Sequence, residues 1–422
     1  MGQRYAVLGA GALGLTIGLR LAQRGDQVVV FEREDVPGGL AAGFPLGNAH
    51  LEKFYHHLFR TDTRAVSLVS ELGLGDRLVW KSPKTVVLRD DRLWRMDSAR
   101  SVLQFSPMPF GSRMRMGAAL AYLRLSRGAS RFEGKTAAGW IQKRMGPEAY
   151  ATLWEPLLKD KFGESRDEVA MPWFWARVRY RTASLGYLRG GLQQLYDSLC
   201  SKIVGLGADV RLATPVDGIS TRNAGLSVSS GSTEERFDAV ISTLPVRITA
   251  ALAPSLPKSY GERYSQVRTL GAMCLILAFD QPLTDAYWIN VNDPGFGFQP
   301  VVEHTNFMPP EDYGGRRLVY FGNYLPVNSP LFSMSKEEVL QRFLPGIRRI
   351  NPDFDVSWVR ESWLFKAPFA QPVVTTDYSR NIPPHITPVP GLFLANMFQV
   401  YPEDRGQNYS IALAEHLVQT VL

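Results

Sequence analysis

Three closely spaced glycines and one downstream acid near the start of the chain have the types and spacing to hold a diphosphate. Gly9, Gly11 and Gly14 fit the pattern G-x-G-x-x-G, and Glu32 follows at the end of a run of valines. In this pattern the first glycine makes a tight turn, the second lets the backbone approach a pyrophosphate, and the third lets a helix pack closely on a strand. Ala12 would open that helix, whose free N–H groups and positive dipole end attract phosphate. Glu32 would accept hydrogen bonds from ribose hydroxyls, so the pattern predicts a dinucleotide site.

A pair of glycines farther along the chain narrows the choice of dinucleotide. After Glu32 the chain continues with Arg33 and then reaches Gly38, Gly39 and Leu40. Two glycines at this distance let the chain fold back over a diphosphate without obstruction by side chains. This arrangement resembles the FAD fingerprint of the superfamily that contains amine oxidases, phytoene desaturases and protoporphyrinogen oxidases. Later blocks resemble that superfamily in the same order along the chain: 214–216, whose Val216 would meet the adenine in a strand, 238–245 and 391–395.

The resemblance implies a fold, a cofactor and a reaction. The fold would be α/β, with a Rossmann-like FAD-binding domain of the GR2 type and an interleaved α+β substrate domain. The cofactor would be FAD, and the substrate would pass a hydride to flavin N5. The loop 401–408, with Arg405, Gly406 and Asn408, would bring a helix N-terminus to the pyrimidine edge of the flavin. A positive dipole end there stabilises the reduced flavin.

One position departs from the superfamily pattern. Many relatives continue from the last strand into Gly-Asp, whose acid touches the flavin's ribityl or phosphate region, and this chain has Asn396-Met397. Either Glu403 or Asp404 replaces that acid, or the contact is absent.

Tyr55, His56 and His57 lie where the superfamily places residues near the flavin ring, and they are the candidate catalytic residues. In an extended segment, adjacent side chains point to opposite sides. We therefore expect one histidine to face the flavin or substrate and the other to pack or meet solvent. The remaining histidines are scattered and the two cysteines, Cys200 and Cys274, are far apart, so we expect no metal site.

Aromatic and basic residues alternate from Trp173 to Arg181, and they suggest a substrate site. Arg177 and Arg179 could hold a phosphate while the aromatic faces hold an apolar or sugar part. A helix or strand face that packs arginine stems on aromatic rings gives the same pattern. Tyr324, at the end of an alternating strand, is a further candidate for substrate contact.

The stretch 105–144 is strongly basic. Eight lysines and arginines stand against Glu133, with Tyr122 and Leu123 among the interleaved apolar residues. A basic amphipathic helix can lie on an anionic membrane, and peripheral contact with the inner membrane face would follow. A solvated helix face gives the same composition, and both interpretations stay open.

Three functions fit these motifs. The first is an FAD-dependent oxidase, desaturase or dehydrogenase acting on a small molecule that is phosphorylated or isoprenoid. The second is an enzyme like UDP-galactopyranose mutase, which uses reduced FAD as a nucleophile without net redox; residues 55–57 loosely resemble its near-flavin histidine block. The third is a flavoprotein without catalytic activity.

The elements that must position these residues follow from hydrophobic periodicity. Residues 4–9, 12–24 and 27–32 are predicted as strand, helix and strand, 62–185 as mostly helical, and 247–380 as mainly strands. A helix over 192–206, strands over 209–212, 226–229, 239–242, 318–324 and 391–395, and a final helix from Gln407 complete the pattern. We expect an FAD-binding domain of residues 1–61, 186–246 and 385–422, and a substrate domain of 62–185 and 247–384.

Composition and charge restrict the class of protein and the kinds of partner. The 422 residues are 45% apolar and carry a net charge of +7, which is typical of a globular protein of two or three domains with anionic partners. No nucleic-acid motif accompanies the charge, so we expect no nucleic-acid partner. The start does not resemble a signal peptide, no window suits a membrane span, and two cysteines fit a reducing cytoplasm. Oligomeric state is not predicted.

Overall fold

The first three elements form the predicted strand–helix–strand unit. The computed structural model describes residues 2–222 and 225–422. In it, strand Arg4–Leu8, helix Ala12–Arg24 and strand Gln27–Phe31 follow one another. The helix buries Leu13, Ile17 and Leu21 at helical spacing. It ends at Gly25, whose φ of 93° is left-handed and suits glycine.

A five-stranded parallel sheet collects its strands from three separate parts of the chain. Helix Ala12–Arg24 packs against helices Gln193–Gly205 and Gln407–Thr420. The carboxyl ends of parallel strands form the ligand-binding edge of such a sheet, and the glycine pattern lies there. The predicted α/β class with a Rossmann-like domain is therefore confirmed. In spatial order the strands are Asp209–Arg211, Gln27–Phe31, Arg4–Leu8, Ala239–Ser242 and Leu392–Leu394.

A seven-stranded mixed sheet forms the second large layer. Its two longest strands pair antiparallel, and Thr269–Phe279 is buried along almost its whole length. In spatial order the strands are Val359–Pro372, Thr269–Phe279, Arg317–Leu325, Val301–Glu303, Trp288–Val291, Thr85–Arg89 and Arg92–Arg95. Three small sheets contain Gly218–Arg222, Gly225–Ser230 and Thr233–Phe237; Gly43–Leu46 and Ala49–Glu52; and Leu58–Phe59, Leu185–Leu188 and Leu78–Lys81.

The described residues also form fourteen α-helices, three of which were given above. In residues 2–222 and 225–422, every helix is too short or too polar to cross a membrane. The remaining α-helices are Thr63–Glu71, Ala99–Leu103, Phe110–Leu125, Ala137–Met145, Pro147–Ala149, Glu155–Phe162, Met171–Tyr180, Val246–Leu252, Lys258–Tyr264, Pro330–Ser333 and Lys336–Ile350.

The structure refines or corrects three sequence predictions about elements. The region 62–185 is mostly helical, as predicted, but its strands Thr85–Arg89 and Arg92–Arg95 also extend the mixed sheet. The region 247–380 contains the long helix Lys336–Ile350, which a capping box between Ser335 and Glu338 starts. Val216 lies in a loop and not in a strand, since Pro215 before it has no N–H to donate to a strand partner.

At Gly14 the first helix comes very close to the backbone of the glycine turn before it. A Cβ at Gly14 would lie 1.9 Å from the carbonyl oxygen of Gly9. Gly9 itself has a φ of +104°, where a Cβ would meet Thr243 Oγ1 at 2.4 Å. Only glycine at both positions lets the first helix pack directly on the first strand.

We predict that Gly14→Ala lowers the free energy of unfolding by about 1–3 kcal/mol, because the added methyl must push the helix away from the strand. Gly117→Ala is the matched control: it also lies in a helix, and its Cβ would meet nothing within 4 Å. That change should add about 0.5–1 kcal/mol. Urea unfolding of both variants measures the difference, and equal stabilities would contradict this account of Gly14.

Candidate active site

The glycine turn and the segment after Glu32 form a cradle made of backbone. The N–H of Gly9 donates to the Phe31 carbonyl at 2.7 Å, and the N–H of Gly38 donates to the Ala10 carbonyl at 2.8 Å. Glu32 accepts the Ala10 N–H at 2.7 Å, so its carboxylate is fixed beside the turn. A Cβ at Gly11 would meet nothing within 4 Å, so the backbone there is open to an approaching ligand.

The other residues predicted to bind the cofactor differ in where they lie. Ala12 is the first helical residue. Gly39 packs on the glycine turn, where a Cβ in its place would lie 3.4 Å from the Gly11 Cα. Leu40 lines the large cavity described below. The Arg33 side chain is exposed and pairs with Glu34 at 2.7 Å, and Val216 packs half-buried against the core under the parallel sheet.

A large cavity lies beside this cradle and brings together most of the predicted site residues. Its walls come from the segment 54–59, the helices Glu155–Phe162 and Met171–Tyr180, the mixed sheet, and the loop 403–409. The predicted residues that line it are Leu40, Tyr55, His56, His57, Arg177, Tyr324, Arg405, Gly406 and Asn408.

Two residues predicted to bind substrate do not reach the cavity. Trp173 is fully buried and lies beneath the cations, with Lys161 Nζ 5.6 Å and the Arg177 guanidinium 5.5 Å from its ring centre. Arg179 reaches the backbone carbonyl of Arg124 instead. Residues two apart on a helix point in widely different directions, so Arg177 and Arg179 cannot share the site.

Both adjacent histidines line the cavity, contrary to the expectation that they diverge. The reason is local, because residues 53–57 bend and are not an extended strand. Burial lowers the pKa of His56 to about 4 and that of His57 to about 3, so both rings are neutral at pH 7. His56 Nδ1 lies 2.7 Å from the Phe54 carbonyl. This nitrogen must donate, which leaves Nε2 as an acceptor.

Aromatic contacts fix Tyr55 between the histidines and the mixed sheet. Its ring packs edge-on against Trp288 and Tyr320 at centroid distances of 5.2 and 6.1 Å. Gly322 leaves room for this ring, since a Cβ there would come within 2.8 Å of it. Burial raises the pKa of Tyr55 well above its usual range, with Tyr324 hydrogen-bonded to it. Tyr55 is therefore a permanent hydroxyl in the cavity wall.

Four cations surround one acid at the far wall. Asp404 Oδ2 lies 3.0 Å from Lys161 Nζ, 3.2 Å from Arg177 Nη1 and 4.0 Å from Arg181 Nη2. Arg405, the next residue, donates instead to the Tyr324 hydroxyl at 2.8 Å. Arg181 ended the alternating run that suggested a substrate site, but the sequence did not single out Lys161, because helices and a loop far apart in the chain assemble the cluster.

The charged groups of this cluster shift one another's pKa values. Burial alone would raise the pKa of Asp404, but the four surrounding cations outweigh burial and hold it well below its usual range. Burial lowers the pKa of Lys161 to about 7, against the attraction of Asp404, and that of Arg181 to about 9. One carboxylate therefore faces three arginines and a lysine that is partly charged at neutral pH.

Three further acids in the cavity wall carry less charge than usual. Burial raises the pKa of Asp62 to about 6 and that of Asp160 to about 8, and it raises the pKa of Glu403 as well. Asp160 is thus mainly protonated at neutral pH. The cavity keeps a surplus of positive charge on the side of Arg177 and Arg405.

The helix Gln407–Thr420 points its N-terminus into the cavity through Gly406. Gln407 is 7% exposed, and within the described part of the chain neither its amide nitrogen nor its amide oxygen has a hydrogen-bond partner. Asn408 already has structural partners, since its side-chain oxygen accepts hydrogen bonds from the N–H groups of Arg64 and Ala65 at 2.9 and 3.2 Å. Asn396 is also committed, because its side chain donates to the Leu244 carbonyl at 3.0 Å.

Comparison with known proteins places the chain in a family. The sequence model of a family described as flavin containing amine oxidoreductase matches residues 14–401. The chain belongs to the flavin-containing amine oxidoreductase family. Its cofactor is therefore FAD, as the fingerprint and the resemblance predicted.

Individual relatives are more distant. The chain is 25% identical over 319 residues to 15-cis-phytoene desaturase of Synechococcus elongatus. The matched region covers 67% of this chain and 66% of the desaturase, so the chain spans slightly less than two thirds of that relative. A solved oxidoreductase from Methanosarcina mazei has a TM-score of 0.79 at 19% identity, over 99% of this chain and 100% of that one. A reduced UDP-galactopyranose mutase has a TM-score of 0.77 at 12% identity, over 99% and 96%. These structural likenesses concern the fold.

The geometry fits the FAD of this family in two respects. The backbone at Gly11 is open to a diphosphate, and helix Ala12–Arg24 begins there without a side-chain cap, so the first N–H groups of the helix can bind phosphate. The buried, unpartnered amide of Gln407 at a helix N-terminus suits a polar ring edge, because such a group costs free energy until a ligand satisfies it. Gln407 was not singled out from the sequence, although it directly follows the predicted Gly406.

We predict that Gln407→Leu changes the Tm of the apoprotein and the Tm of the FAD complex differently. Without FAD the change removes a buried, unsatisfied amide that costs about 1–3 kcal/mol, so the Tm of FAD-stripped protein should stay level or rise. The further increase in Tm on adding FAD should shrink. Gln193→Leu is the contrast, because that buried amide is hydrogen-bonded to Gly43 and Pro37 and its loss should lower both Tm values. A full FAD response in Gln407→Leu would show that this amide does not meet the cofactor.

We also predict that the cavity binds sulfate more weakly as the pH rises through about 7, the pKa of Lys161. A lysine with a lowered pKa is charged below that value and neutral above it, while sulfate stays a dianion throughout. The loss of one charged hydrogen bond should weaken binding by about tenfold, read from the perturbed flavin spectrum. In Lys161→Met this fall near pH 7 should vanish, leaving the declines caused by ionisation of Asp62 near pH 6 and Asp160 near pH 8. An unaltered profile in Lys161→Met would rule out this lysine.

Proposed function

We propose that this chain is an FAD-dependent oxidoreductase that takes a hydride from an anionic substrate, phosphorylated or lipid-like. Its family membership supports the reaction class. The observation that carries the substrate class is the cation cluster of Lys161, Arg177, Arg181 and Arg405, which faces the cavity with Asp404 as its close counter-ion. Buried positive charge in excess of its partners is costly until an anion compensates it.

The chain's residues would divide the work in the cavity. Bound FAD supplies a two-electron acceptor. Arg177 and Arg181 would bind the anionic group of the substrate and so orient the rest of it. The aromatic wall around Tyr55 would hold the apolar part and exclude water. Lys161 exchanges a proton near neutral pH at Nζ, whereas the neutral His56 can only accept a hydrogen bond at Nε2.

A second candidate is a rearrangement without net electron transfer, as in UDP-galactopyranose mutase. The structural likeness to that enzyme supports it, and the same arginines would hold a nucleotide diphosphate. The two candidates differ in the flavin state that they need, because the mutase reaction requires reduced FAD before the substrate binds.

The test is anaerobic mixing of the FAD holoenzyme with geranylgeranyl phosphate, with its uncharged alcohol, with a primary amine and with UDP-galactose. Loss of the oxidised flavin band with the phosphate alone is the expected result. In Arg177→Met, the KM for the phosphate should rise by about ten- to hundredfold with a smaller effect on kcat. Bleaching by the alcohol or the amine alone would overturn the anionic substrate class. Conversion of UDP-galactose by dithionite-reduced enzyme, without bleaching by the other compounds, would establish the second candidate instead.

A further inference from the structure

The helix Phe110–Leu125 presents apolar side chains on two opposite faces. Met116, Ala119 and Leu123 point inward and are buried. On the other side Phe110 is 61% exposed and Leu125 is 80% exposed. A helix that only covers a protein core needs a single apolar face, so the outer face requires another explanation.

The outward apolar residues form a stripe, which we call the outer stripe: Phe110, Met114 and Leu125. At 3.6 residues per turn, these three positions fall within an arc of about 60°. Met114 is 50% exposed, and Tyr122 borders the stripe at 49%. Of the ten large apolar side chains that are exposed in the described part of the chain, five lie between Leu103 and Leu125. The exposed apolar surface is therefore concentrated on this helix and the turn before it.

The net positive charge is concentrated in the same place. Residues 105–144 hold eight basic residues and one acid, a net charge of +7, which equals that of the whole chain. The remainder of the chain thus carries 39 charges of each sign. On the helix, Arg113 and Arg124 lie on one flank of the outer stripe and Arg115 on the other.

These basic side chains keep their charge unneutralised. In residues 2–222 and 225–422, none of the eight lies within 4.0 Å of a carboxylate. Arg115 donates to the backbone carbonyls of Lys143 and Arg144 at 2.8 and 3.0 Å, and Arg124 donates to the Arg181 carbonyl at 2.7 Å. Carbonyl partners hold the guanidinium groups in place and leave their positive charge available to an anionic surface.

We propose that this helix docks on an anionic lipid bilayer, independently of which reaction the cavity performs. The outer stripe would enter the boundary between headgroups and acyl chains, and the flanking arginines would meet lipid phosphates. Charge complementarity selects this partner. A nucleic acid would use the arginines but would not cover Phe110 and Leu125, whereas an anionic bilayer satisfies both features.

Docking in this way would bring the cavity to the membrane. The helix packs on helix Met171–Tyr180, whose residues Ala176, Arg177 and Tyr180 line the cavity. Arg124, in the last turn of the docking helix, bonds to the carbonyl of Arg181, which also lines the cavity.

The experiment is flotation of the FAD holoenzyme with vesicles of phosphatidylcholine, alone or mixed with phosphatidylglycerol. We expect flotation with the anionic vesicles and its loss at high salt. The double variant Phe110→Ser with Leu125→Ser should reduce the partition coefficient by at least about tenfold. The matched control, Val204→Ser with Ile386→Ser, removes side chains that are 54% and 65% exposed elsewhere and should float like the unaltered protein.

A charge variant tests the second half of the proposal. Arg127 and Arg144 are two exposed members of the eight basic residues in 105–144. Arg127→Gln with Arg144→Gln should weaken binding to anionic vesicles and leave residual binding to neutral vesicles unchanged. All variants alter exposed positions, so FAD content and Tm should match the unaltered protein and confirm folding. Equal flotation of the double serine variant, or binding that ignores lipid charge, would overturn the proposal. Salt-resistant self-association through Phe110 and Leu125 without lipid would also overturn it and assign the stripe to a second copy of the chain.

Discussion

The ion cluster at Asp404 joins the loop before the last helix to two helices that lie far away in the sequence. Asp404 precedes the last helix, while its partners Lys161 and Arg177 stand on two different helices. Asp404 stays ionised because the cations outweigh its burial, and the cations are tolerated because Asp404 stays ionised. Its second oxygen, Oδ1, is buried without a hydrogen-bond partner. The cluster is therefore tightly held but has not used all of its bonding capacity, as suits a wall that receives a ligand.

Backbone and side chains have separate tasks around the site. The cofactor cradle depends on glycines. Side chains at Gly9 and Gly38 would meet Thr243 and Tyr196, and Gly11 leaves the backbone open to a diphosphate. The cavity depends on side chains, and its charge comes from helices and loops outside the parallel sheet. Chains that share the cradle can consequently differ in substrate, which agrees with the range of oxidoreductases and the mutase that share this fold.

The parts predictable from sequence are those governed by neighbouring residues. The turn at Gly9–Gly14, the first helix and the final helix from Gln407 follow from local spacing. Spacing also predicted a dinucleotide site, and the resemblance to a known superfamily identified the dinucleotide as FAD. The partnership of Lys161 with Asp404 joins positions that only the tertiary fold brings together, so no local pattern indicated it. The helix Lys336–Ile350 is an intermediate case, because its capping box at Ser335 and Glu338 was readable but lay among alternating segments. The bend after Glu52, which turns both His56 and His57 into the cavity, depends on packing against Tyr320, whose hydroxyl donates to the Glu52 carbonyl at 2.8 Å.

The bond from Arg124 to the Arg181 carbonyl joins the outer helix to the wall of the cavity. An enzyme held to a bilayer by that helix would search for its substrate in two dimensions. Its rate would then follow the number of substrate molecules per unit area of membrane, and diluting the surrounding solution would leave that rate unchanged. Adding lipid without substrate would slow the reaction, because the same molecules would be spread over more surface.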